Sequence, residues 1–134
     1  MLYRIEDWQT IKDKISQSFK INIEKTEFEI DTFDKCSAIL QETLDIEQIS
    51  DEELFWILDD LHEITGEICF ITQICYKEGF GPFLLEADRL GELIENYYRI
   101  FEEHFYDKNV IIISFSQKVV WLVNCLGFVE LLKM

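Results

Sequence analysis

Apolar residues recur along this chain at helical and strand periods, and the switches between the two mark its elements. Trp8, Ile11, Ile15 and Phe19 fall on one face, so the spacing predicts a first helix from about Asp7 to Phe19. Over Ile21–Ile30, apolar Ile21, Ile23, Phe28 and Ile30 have acids among them. That pattern predicts one or two short half-buried strands, or an extended connection. Helical spacing returns with Phe33, Cys36, Ile39, Leu40 and Leu44.

A clearer start follows. Ser50-x-x-Glu53 is a capping-box pattern, and Asp51, Glu52 and Glu53 suit the positive end of a helix dipole. Leu54, Ile57, Leu58 and Leu61 then form the expected buried stripe, with Gly66 as the stop. Ile68–Tyr76 reads as a buried strand, and Gly79-Phe80-Gly81-Pro82 as a turn. The longest helix is expected from about Ala87 to Phe105, with Leu90, Ile94, Tyr97, Tyr98, Phe101 and Phe105 on one side. Three strands close the chain: Asn109–Phe115, Lys118–Asn124 and Gly127–Leu132. Tight turns between them predict a meander. Helices first and strands last argue for a single α+β domain over residues 1–134: an antiparallel sheet with a C-terminal β-meander, covered by several helices.

Composition adds a constraint that periodicity does not. The 134 residues are 49% hydrophobic and 14% aromatic, yet the formal net charge is −15. Acidic disordered chains are poor in aromatics, so a packed core is expected here. A phosphate-binding protein needs a basic stripe, and this balance runs the other way. The longest apolar runs, such as Val110–Ile113 and Val119–Val123, are far short of the ~20 residues that span a bilayer. No basic stretch followed by an apolar one opens the chain, so no signal peptide is expected and the cytoplasm is the expected compartment. Cys36, Cys69, Cys75 and Cys125 contain no C-x-x-C and read as buried free thiols of a reducing cytosol.

The charge is unevenly placed. Residues 41–107 hold 18 acids against 3 bases, and no Lys or Arg lies between Lys35 and Lys77. Self-repulsion on that scale opposes folding, so a use for it is worth seeking, with solubility as the alternative.

Catalytic chemistry finds little support. His62-Glu63-Ile64-Thr65-Gly66 begins like a zinc-protease helix but has Gly66 where the second histidine must stand. His104 falls near a helix end, where a cation is favoured. Asp59, Asp60 and Glu63 lack the neighbouring Lys or Arg that a magnesium–phosphate site supplies. The cysteines lie in apolar contexts that disfavour the thiolate. Gly79-x-Gly81 runs into Pro82 and does not form a phosphate loop. No enzyme activity, cofactor or metal is expected.

A binding surface is better supported. Projected at about 100° per residue, the face of the Ser50 helix opposite its apolar stripe holds Glu52, Trp56, Asp59, Asp60 and Glu63. A large aromatic among carboxylates combines an interface anchor with charges that steer a partner, unless the preceding helix or the N-terminal segment covers Trp56. Glu42, Asp45 and Glu47, just upstream, are expected to extend the patch. On the long helix, Glu92, Glu95, Arg99 and Glu103 read as a solvated face, with Arg99 pairing to Glu95 and Glu103.

The last third has a further likeness. A long helix ends in Phe105-Tyr106-Asp107, followed by Asn109-Val110-Ile111-Ile112-Ile113-Ser114, then Val119-Val120-Trp121-Leu122, then Gly127-Phe128-Val129-Glu130. Over residues 84–134 this pattern resembles bacterial immunity proteins of contact-dependent inhibition and other polymorphic toxin systems. Where such families often carry a His or Glu pair before the equivalent glycine, this chain has Asn124-Cys125-Leu126. The resemblance implies a cytoplasmic protein without catalytic residues, whose partner is a basic toxin domain such as a nuclease. Its acidic surface would occlude the toxin's substrate site. The alternatives are an acidic regulatory or scaffold domain and a mimic of DNA.

Overall fold

The computed structural model describes residues 3–19, 36–77 and 80–133. Its elements in chain order are β1 (Arg4–Ile5), α1 (Trp8–Phe19), β2 (Ser37–Thr43), a 3-10 turn (Ile46–Gln48) and α2 (Asp51–Leu61). They continue with β3 (Glu67–Ile71), a 3-10 turn (Gln73–Tyr76), β4 (Phe83–Glu86), α3 (Ala87–Phe101), β5 (Val110–Ser114), β6 (Val119–Val123) and β7 (Phe128–Lys133). The strands form one seven-stranded sheet in the order β1-β4-β3-β5-β6-β7-β2, with every neighbouring pair antiparallel. The fold is α+β, and β5–β7 are the expected meander.

Register explains how the layers form. Phe70, Phe83, Ile112, Trp121 and Leu131 are successive cross-strand partners, so they share one face of the sheet. Tyr97 and Phe101 of α3 meet Phe83 on that face, and His62, at the end of α2, lies against Trp121 at 5.7 Å. On the opposite face, Lys14 of α1 pairs with Glu67 and sits over the Phe115 ring. With helices on both sides, the continuous apolar runs of β5 and β6 are buried at every position. No described helix is long and apolar enough to cross a membrane.

Two helices follow the periodicity closely. α1 begins where Asp7 accepts a hydrogen bond from the Thr10 N–H at 2.8 Å, and it buries Ile11, Ile15 and Phe19. That same N–H holds the Asp7 carboxyl below its ordinary value. Ser50 caps α2 by accepting from the Glu53 N–H, and Leu54 and Leu58 are fully buried while Ile57 and Leu61 are half-buried.

Elsewhere the structure corrects the pattern. The stretch with helical spacing around Cys36, Ile39, Leu40 and Leu44 is the edge strand β2, where only Leu40 among Ser37–Thr43 is even half-buried. Pairing with β7 along its length outweighs the local spacing, and a bulge between Ala38 and Leu40 breaks the alternation that would have revealed a strand. Phe33 and the stretch 21–30 lie outside the described residues. Ile68–Tyr76 is not one strand: β3 ends at Ile71. There the Thr72 hydroxyl meets the Tyr97 hydroxyl at 2.6 Å, and the Cys75 N–H returns to the Thr72 carbonyl. Gly66 does not stop α2, which ends at Leu61 with His62 as its cap; it lies just before β3 instead. Finally, α3 ends at Phe101 rather than Phe105, because Glu102 takes a left-handed conformation (φ 59°). The chain then folds back, burying Phe105 against Phe70 and Tyr97.

Gly127 shows how tightly the β2 edge is tied down. It has φ +93°, its carbonyl accepts from the Leu44 N–H at 2.8 Å, and a Cβ there would lie 2.1 Å from the Leu44 carbonyl oxygen. Gly127→Ala therefore combines left-handed strain with a backbone clash, and an unfolding free energy lower by about 2 kcal/mol or more is expected. Urea denaturation measures the loss. Hydrogen exchange should place its first sign in the β2 amides that pair with β7.

Candidate protein-binding surface

Trp56 lies on the side of α2 turned away from the core and is 62% exposed. Its two neighbouring hollows are both on the helix surface. One, about 420 Å³, is lined by Trp56, Asp59, Asp60 and Glu63; the other, about 410 Å³, by Glu53, Trp56, Ile57 and Asp60. A larger groove of about 510 Å³ shares Asp59 and Glu63 and continues between α2 and the start of α3, where Glu86, Ala87 and Asp88 line it. Six carboxylates thus line these three hollows, and among the described residues no basic one does.

Local structure holds the surface in shape. Asp59 accepts a hydrogen bond from the Ile64 N–H at 2.9 Å, fixing the turn that carries Glu63. Gln117, from the β5–β6 turn, donates to the Glu63 carbonyl at 2.9 Å. Phe55 packs on Gly91 of α3, where a Cβ would sit 3.2 Å from the ring, so this glycine sets how closely α2 and α3 approach. At the other end of α2, His104 Nδ1 is 2.7 Å from Asp51 Oδ1. The His104 ring stacks on Tyr106, whose hydroxyl donates to the Ile49 carbonyl. Burial raises the Asp51 carboxyl above its ordinary value against the pull of His104.

Of the residues singled out from sequence, Trp56, Asp59, Asp60 and Glu63 come together. Glu52 is exposed in the first turn of α2 and lines none of the three hollows. Glu42 lies on the β2 edge, and Asp45 and Glu47 lie at the 3-10 turn before α2; all three are exposed and none lines these hollows. Glu53, Glu86 and Asp88 were not anticipated. Glu53 was legible from its position three residues before Trp56. Glu86 and Asp88 depend on the packing of α3 against α2.

Cys36, Cys69 and Cys75 are buried as expected, but Cys125, in the β6–β7 turn, is exposed. His62 is half-buried against Trp121, within 3.4 Å of the Gln117 amide. Burial pushes the Cys75 thiol up to about 11 and the Cys69 thiol well above its ordinary value. Arg99 donates to Asn96 at 2.6 Å, and among the described residues it forms no ion pair with Glu95 or Glu103. No group of three or more His, Cys, Asp or Glu among the described residues is arranged to hold a metal ion. Comparison with protein-family models, curated proteins and solved structures returns no match for the chain.

Proposed function

We propose that the protein is an immunity protein: a stoichiometric, non-catalytic inhibitor that acts in the cytoplasm on a cognate basic toxin domain, such as a nuclease. The observation that carries this reading is an exposed indole lining two hollows that hold four carboxylates and, among the described residues, no base, beside a groove that adds Glu86 and Asp88. Carboxylates of one sign steer a basic partner in from a distance, and an aromatic anchor slows its departure. The resemblance of residues 84–134 to immunity proteins supplies the biological setting. Occlusion of a substrate site follows from the same chemistry, because a nuclease surface that binds phosphates is itself a basic cleft.

The experiment is a titration with the C-terminal domain of the protein encoded immediately upstream of this gene. A 1:1 complex is expected whose association rate falls at least tenfold between about 50 and 500 mM salt, as the Debye length shrinks. Absence of a complex at micromolar concentrations, or an association rate indifferent to salt, would overturn the reading.

A further inference from the structure

Trp56 differs from Tyr98, the other exposed aromatic on a helix among the described residues. Tyr98 is also half-exposed or more, but its ring is met by His104 at 4.9 Å. Trp56 lines two open hollows, each with carboxylates at its wall: Asp59, Asp60 and Glu63 in one, Glu53 and Asp60 in the other. On the exposed face of α3 the acid Glu92 already has Arg89 at 3.7 Å, whereas among the described residues no base lines the hollows around Trp56.

We infer that the Trp56 face of α2 receives an arginine side chain of the partner. Its guanidinium lies on the indole, and its N–H fork is held by the carboxylates of Asp60 with Glu53 or Glu63. This inference rests on the reading that the partner is a basic protein. It goes further in naming the contact. Arginine suits an indole flanked by carboxylates better than lysine does. A guanidinium is planar, stacks on aromatic faces and presents paired donors at its edge, while an ammonium is a compact, strongly hydrated point charge. Asp59 has one oxygen engaged by the Ile64 N–H, so Asp60, Glu53 and Glu63 are the freer acceptors.

The test uses two peptides of equal charge, N-acetylated and C-amidated tri-arginine and tri-lysine, titrated into the full chain and followed by the indole N–H resonances. The signal of Trp56 is identified by its loss in W56F. Tri-arginine should bind roughly two- to fivefold tighter than tri-lysine and shift Trp56, leaving the fully buried Trp121 in place. W56L, at an exposed position that folding does not need, should erase the arginine preference while weak binding of both peptides persists. Equal affinity for the two peptides in the wild type, or a preference that survives W56L, overturns the inference. The two readings also fail separately. A clear arginine preference with no complex to the upstream domain overturns the immunity reading and leaves the arginine site. A complex with that domain and no arginine preference overturns the arginine site alone.

Discussion

Replacing Phe83 by alanine is expected to lower the unfolding free energy by about 3–5 kcal/mol, the range seen for emptying a buried aromatic site. The side chain is fully buried on β4. Its ring meets those of Tyr3 at 5.0 Å, Phe80 at 5.6 Å, Phe101 at 5.7 Å, Phe70 at 5.9 Å and Tyr97 at 6.4 Å. These neighbours come from five other parts of the chain, the N-terminal segment, β3, the β3–β4 connection and two turns of α3, so no single element can move to fill the void. A domain of this size holds only about 5–15 kcal/mol in total, so the variant should sit near the edge of folding. Phe83→Leu keeps much of the volume and should lose markedly less. Urea denaturation of the two variants checks this; a loss under about 1 kcal/mol for the alanine variant would show that the cluster repacks around the gap.

That Phe83 carries so much was invisible along the chain. Its strand, Phe83–Glu86, is four residues long and lies between a Gly-Pro turn and a helix, too short for a period to register. Its burial comes from pairing with β1 and β3, partners that lie about 80 and 15 positions away in the chain. β2 was misread for a related reason. It is an edge strand with a bulge, so it has neither the alternation of a one-sided strand nor the apolar run of a buried one. By contrast, α1, α2 and the β5–β7 meander were legible, because an apolar stripe at fixed spacing or a run buried on both faces is a local signal. The end of α3 was not, since the apolar Phe105 stays in phase with the helix although Glu102 has already turned the backbone. The same division runs through the surface around Trp56. Its meeting with Asp59, Asp60 and Glu63 needs only helix geometry, and projection alone places them together. Glu86 and Asp88 join through the contact of Phe55 with Gly91, which no spacing encodes.

Reversing charge at that surface should have the largest functional effect. D59K/D60K/E63K replaces three carboxylates that line the hollows by ammonium groups. If the partner is the basic domain proposed above, affinity for it is expected to fall by about 100-fold or more, because steering is worth 10–10³ in association rate and close charge pairs add to it. The control is E42K/D45K/E47K, which changes the net charge by the same amount at exposed positions that line none of these hollows. Its loss should stay within about tenfold, the share owed to the overall field. One structural effect has to be separated from the electrostatic one, since Asp59 also caps the Ile64 N–H. D59N/D60K/E63K keeps an acceptor oxygen at that position, and it should bind about as poorly as the full reversal while unfolding at a higher urea concentration. Equal losses for the Trp56-side and β2-side reversals would mean that total charge, and not this face of α2, governs the encounter. A control that binds worse than the Trp56-side variant would move the interface to the β2 edge.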